Sequence, residues 1–110
     1  MMATMNEWRD KIHAWAHDKG FYEDRCQAEQ MYCVHVSGSV PAQLMLVVTE
    51  LGEACEAHRC CARENLHEEI ADTVIRLLDL CGALNIDIDR EVEAKMKINF
   101  GRPHKHGKQY

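Results

Sequence analysis

Apolar residues recur at helical intervals along most of the chain, and alternating β-branched runs are almost absent. Met5, Trp8, Ile12, Trp15 and Ala16 follow an i, i+3, i+7, i+10, i+11 pattern, which predicts an amphipathic helix from about residue 5 to 19 that stops at Gly20. A second helix is expected from about Pro41 to Cys61, with Pro41 in its first turn and Ser39 as a cap. A short connection through Arg63 and Glu64 leads to a third, with Asn65 as its N-cap and Glu68 completing a capping box. It should run to about Leu84, where "NIDID" breaks the pattern before a fourth helix from about Asp89 to Phe100; Gly101 and Pro103 end the regular structure. The expectation is an all-α, four-helix fold in a single domain over residues 1–110. A less regular segment lies at about 21–40, where "HVSGSVP" interrupts the helix formers, and a basic tail at about 101–110.

Composition narrows the partners. A net charge of -5 argues against a nucleic-acid duplex as the main partner, although Arg102 to Lys108 form a small basic cluster apart from that balance. The longest apolar run near the second helix, "LMLVV", is far short of a membrane span, and "MMATMNEWRDKIHAW" holds no apolar run of signal-peptide length, so a cytoplasmic protein is expected. Six cysteines contain no C-x-x-C pair and read as free thiols; zinc at Cys55, His58, Cys60 and Cys61 would lack the usual pair-plus-pair spacing. The third helix, "IADTVIRLLDLCGALNI", carries more apolar surface than one partner helix can cover, which predicts a homo-oligomer, dimer or tetramer.

The candidate chemistry lies in "TELGEACEAHR" and "HEEIADTVIRLL". Residues three apart share a helix face, so Glu50 and Glu53 project together, as do Glu69 and Asp72. Leu46, Val47, Leu51 and Ala54 define an apolar face that Glu50 borders; Ile70, Thr73, Val74, Leu77 and Leu78 crowd the side of Glu69 and Asp72. Acids flanking apolar seams on two helices joined by a short turn should face each other, which costs several kcal/mol unless a cation offsets the repulsion. Glu56, Glu64, Glu68 and Asp79 read instead as solvated surface charge.

The ordered set E-x-x-E, fifteen residues, E-x-x-D, written here as "ELGE" and "EIAD", resembles the MazG-like family of all-α nucleoside triphosphate pyrophosphohydrolases. The likeness extends through "KGF", "DTVIRLLDLCGALNIDID" and "KMKINFGRPHKHGK", and so covers most of the chain, residues 21–40 least. What it implies is magnesium-dependent hydrolysis of a (deoxy)nucleoside triphosphate to the monophosphate and pyrophosphate, with manganese able to substitute. Glu50, Glu53, Glu69 and Asp72 would be the metal ligands, with Glu50 and Glu53 catalytic. Lys95, Asn99 and Arg102 would meet the phosphates, and the first helix would lie beside the nucleobase, where Trp15 rather than Trp8 could stack; as plain sequence, both tryptophans read as core residues.

One position departs from that pattern. Many relatives carry an acid before the first Glu as the base that orients water, whereas this chain has Thr49. Either Glu53 does that work, or water beside the metal is acidic enough without a dedicated base. Two other classes compete: a non-catalytic helical interaction module, and a di-iron carboxylate bundle, for which "ENLH", Glu64 to His67, supplies one of the two E-x-x-H motifs required.

Overall fold

The computed structural model describes residues 2–22 and 40–104, and these form four α-helices and no strand: α1 (Met5–Asp18), α2 (Val40–Arg59), α3 (Arg63–Ala83) and α4 (Ile88–Phe100). Most of the irregular segment at 21–40 and of the tail at 101–110, including Ser39, Cys26 and Cys33, lies outside the described residues. None of the four helices is long and apolar enough to cross a membrane.

Local chemistry explains the helix ends. Thr4 caps α1 by accepting from the Glu7 N–H at 3.1 Å, and Asp87 caps α4 by accepting from the Arg90 N–H at 3.1 Å. Three helices end in the same way, with paired backbone bonds closing the last turn around a residue of positive φ. That residue is Gly20 (φ 82°) after α1, Cys61 (φ 57°) after α2 and Asn85 (φ 55°) after α3. Gly and Asn tolerate this conformation; Cys does not do so readily.

The α2 ending corrects the expected start of α3. Because the chain reverses at Cys60–Ala62, it re-enters helix at Arg63, and Ala62 takes the N-cap place with no side-chain bond. Asn65 therefore lies inside the first turn, and no capping box with Glu68 forms. Pro41 does fall in the first turn of α2.

Packing centres on α3, which α2 and α1 both flank. The buried stripe of α2 is Gln43, Val47, Glu50 and Ala54, so Glu50 is part of the apolar stripe rather than its border, and Leu51 faces outward. On α3 the buried residues are Thr73, Leu78, Leu80 and Cys81, while Ile70, Val74 and Leu77 are exposed. The close fit of α1 on α3 needs Gly82, since a Cβ there would stand 2.6 Å from the Cβ of His13. Ala16, only 2% exposed, is the buried residue of α1.

Hydrogen bonds, rather than apolar burial, hold α4. None of its residues is buried. Asp89 accepts from the N–H groups of Met5 and Asn6, the Asn6 side chain bonds both Asp87 and the Ile88 N–H, and Arg9 Nη1 donates to the Ile86 carbonyl at 2.7 Å. The Asn6 amide and the Arg90 N–H hold the Asp87 carboxyl below its ordinary range. The segment expected only to break a helix is thus also a polar clamp joining the starts of α1 and α4.

The strained turn generates a test. Replacing Cys61 by Gly removes the Cβ conflict of the left-handed conformation and costs some unfolded-chain entropy, so a net gain of about 0.5–1 kcal/mol is expected. Chemical denaturation should show a higher midpoint at unchanged slope; a lower midpoint would show that the Cys61 side chain stabilises the turn.

Candidate metal and nucleotide site

Starting α3 at Arg63 gives the carboxylates a simple geometry. Glu53 and Glu69 each stand eight residues from Cys61, and Glu50 and Asp72 each stand eleven. Equal rise along two antiparallel helices brings the members of each pair level across the hairpin. Carboxylate oxygens of Glu50, Glu69 and Asp72 lie within 4.8 Å of one another. Glu50 is buried at 8% exposure, Glu69 is half-buried, and Asp72 and Glu53 face solvent.

Each acid is accommodated differently. Arg76 Nε donates to Glu50 Oε1 at 2.7 Å, and this guanidinium is the main reason that the Glu50 carboxyl is held below its ordinary range. Arg76 lies four residues after Asp72 in an otherwise apolar run, which is the signal that could have marked it as part of the site. Glu69 has no such cation. Its contact with Glu53, then loss of hydration, then Glu50 push its carboxyl up to about 7. Two ionised carboxylates are both acceptors, so the Glu53–Glu69 contact becomes a hydrogen bond only while one of them holds a proton. Glu69 Oε2 is accordingly buried with no donor.

An orphaned carboxylate oxygen within a cluster of hard oxygen donors fits a small divalent cation of the magnesium or manganese type. Among the described residues this acidic cluster is the one group placed to hold a metal. Cys55, Cys60 and Cys61 are free and exposed, and they do not gather with His58 into a ligand set. Glu64 and His67 are exposed in the first two turns of α3, apart from the cluster. Thr49 bonds back to the Met45 carbonyl at 3.1 Å and faces solvent.

The cluster opens onto a cleft of about 300 Å³ between α1, α2 and α3, with Glu50, Asp72 and Arg76 on its polar side and Ile12, Trp15, Phe21 and Ile75 on its apolar side. Trp15 is 49% exposed and meets Phe21 edge-on with ring centroids 5.6 Å apart. Trp8, 51% exposed, lies away from the cleft with the Lys11 ammonium over its ring. Neither indole is the core residue that helical spacing alone suggests. Lys95, Asn99 and Arg102 of α4 and its C-terminal end are not among the residues lining the cleft. Asp79, expected as surface charge, does line it and is largely covered.

Comparison with protein-family models, curated proteins and solved structures finds no match.

The raised Glu69 carboxyl gives a pH prediction. Between its ordinary value of 4.5 and about 7 the folded chain binds the proton more tightly than the unfolded chain does, so this group's contribution to stability declines as pH rises through that window. In metal-free buffer, melting temperatures of the wild type should fall relative to those of Glu69→Gln between about pH 5 and pH 8. Magnesium should restore the wild type most at the alkaline end, with release of a proton on binding. Parallel curves for the two proteins would remove the argument.

Proposed function

We propose that the chain is a magnesium-dependent hydrolase that converts a (deoxy)nucleoside triphosphate to the monophosphate and pyrophosphate, acting in control of a nucleotide pool. The carboxylate cluster at the polar side of an aromatic-walled cleft carries this reading, and the likeness of "ELGE" and "EIAD" to the MazG-like family agrees with it. Metal ligation falls to Glu50, Glu53, Glu69 and Asp72. Bound there, magnesium would neutralise phosphate charge and stabilise the leaving pyrophosphate.

The chain's own groups divide the remaining work. Arg76 lines the cleft beside Glu50, where its guanidinium can meet a phosphate oxygen without leaving that acid. Glu50 is committed to Arg76, and of the two solvent-facing acids, Glu53 and Asp72, Glu53 is assigned to take the proton of the attacking water. Water attacks the α-phosphorus, the bond to the α–β bridging oxygen breaks, and that oxygen leaves with the pyrophosphate. Trp15 offers its face to the base. Lys95, Asn99 and Arg102 remain candidates for phosphate contact when subunits assemble.

Assembly belongs to the same proposal. Leu44, Met45, Val48 and Leu51 on α2 and Ile70, Val74 and Leu77 on α3 are exposed faces at helical spacing, of the kind that subunits of a dimer or tetramer cover. A non-catalytic interaction module would use these faces too, but it gives no reason for magnesium to bind. Sedimentation should show a stable oligomer at low micromolar concentration, and a persistent 12.7 kDa monomer would sink the assembly claim.

The reaction has a direct test. Glu53→Gln and Asp72→Asn should each fold yet lose about a hundredfold or more in turnover. In heavy-oxygen water the label should enter the nucleoside monophosphate. Label on inorganic phosphate with accumulation of a diphosphate would place the attack at the γ-phosphorus instead, and inactivity toward all common triphosphates with magnesium would favour the interaction module.

A further inference from the structure

Asp79 lies seven residues beyond Asp72 on α3, about 10 Å along the axis, and lines the same cleft. Its side chain is 16% exposed, and His13 Nδ1 stands 2.9 Å from Oδ1. A carboxylate can only accept, so the imidazole donates through Nδ1–H. The ring of His13 is itself held from two sides, edge-on against His17 at 4.6 Å and against Tyr22 at 4.9 Å between centroids. Gly82 gives it the space to sit there. The carboxylate is therefore held through Oδ1, while Oδ2 takes no hydrogen bond from any described residue.

We infer that Asp79, oriented by His13, reads the base of the nucleotide and selects guanine. The inference rests on the reading of the cleft as a nucleotide site. A triphosphate anchored at Glu50, Asp72 and Arg76 runs along α3 past Trp15, and its sugar spans the gap before the base reaches Asp79. A carboxylate presents two adjacent acceptors and no donor. Among the common bases, guanine alone offers two adjacent donors, N1–H and the 2-amino group, on its Watson–Crick edge. Adenine and cytosine each set an acceptor beside their amino group, and thymine or uracil flanks one N–H with two acceptors, so each leaves an acceptor facing the carboxylate. Oδ1 retains a lone pair after bonding His13, so both oxygens can engage. Asp79 is the specificity residue, and His13 is a positioning residue.

The test combines binding of the four deoxynucleoside monophosphates, titrated calorimetrically without metal, with hydrolysis of the matching triphosphates in magnesium. The wild type should favour guanine in both. Asp79→Asn turns one acceptor into a donor, so guanine preference should fall by about tenfold or more while adenine or cytosine gains. Asp79→Ala should lose the preference without that gain, and His13→Gln should weaken it while melting curves show a folded protein. A wild type that binds guanine no better than the rest, or a preference that both Asp79 variants keep, overturns the inference. Asp79-dependent guanine binding with no hydrolysis upholds it and removes the hydrolase reading; hydrolysis indifferent to Asp79 does the reverse.

Discussion

Four carboxylates held level across one helix hairpin repel each other, and the arrangement around them manages that repulsion. Glu50 occupies a place in the buried stripe of α2 that an apolar residue would normally take, and it is kept ionised there by Arg76. Glu69 has no such cation, and its contact with Glu53 raises its carboxyl instead. Ala54 on α2 and Thr73 on α3 are buried in this hairpin, so the acids cannot relax apart without opening its packed interface. The site is thus paid for by the packing of the hairpin, which alone would be more stable with apolar residues in its stripe.

The second layer of the structure turns this cluster into one end of a cleft. α1 can lie close on α3 because Gly82 has no side chain, and the polar clamp of Asn6, Arg9, Asp87 and Asp89 fixes the other end of α1. Between these two anchors α1 presents Trp15 to the carboxylates and His13 to Asp79. One helix thereby supplies both an aromatic face and a polar orienter to the same groove.

The helical character of the chain, the positions of its four helices and the convergence of Glu50, Glu69 and Asp72 were legible in the sequence, because helical period and short connections constrain them strongly. The start of α3 was not. Asn65 is a good cap by composition, but the left-handed residue at Cys61 reverses the chain sooner, and no propensity rule expects a cysteine there. The cap stands three residues earlier, at Ala62, and this earlier start is what lets the carboxylate pairs stand level across the hairpin. Apolar faces were also merged: Leu51, Ile70, Val74 and Leu77 point outward, since a helix with two apolar stripes shows no single period. Asp79 looked like surface charge because its partner, His13, is 66 residues away in the chain, beyond the reach of any local pattern.

The mirror placement of the acids about Cys61 makes the turn a phase-setting element. One residue added or removed there cannot be absorbed by sliding, because each step along a helix rotates its side chains by about 100°. Either the new residue is expelled as a bulge within 60–62, or α3 turns its carboxylates away from α2 and brings its apolar outer face inward. Chains that preserve this chemistry should therefore hold the number of turn residues more strictly than their identity, which is constrained mainly at the left-handed position 61.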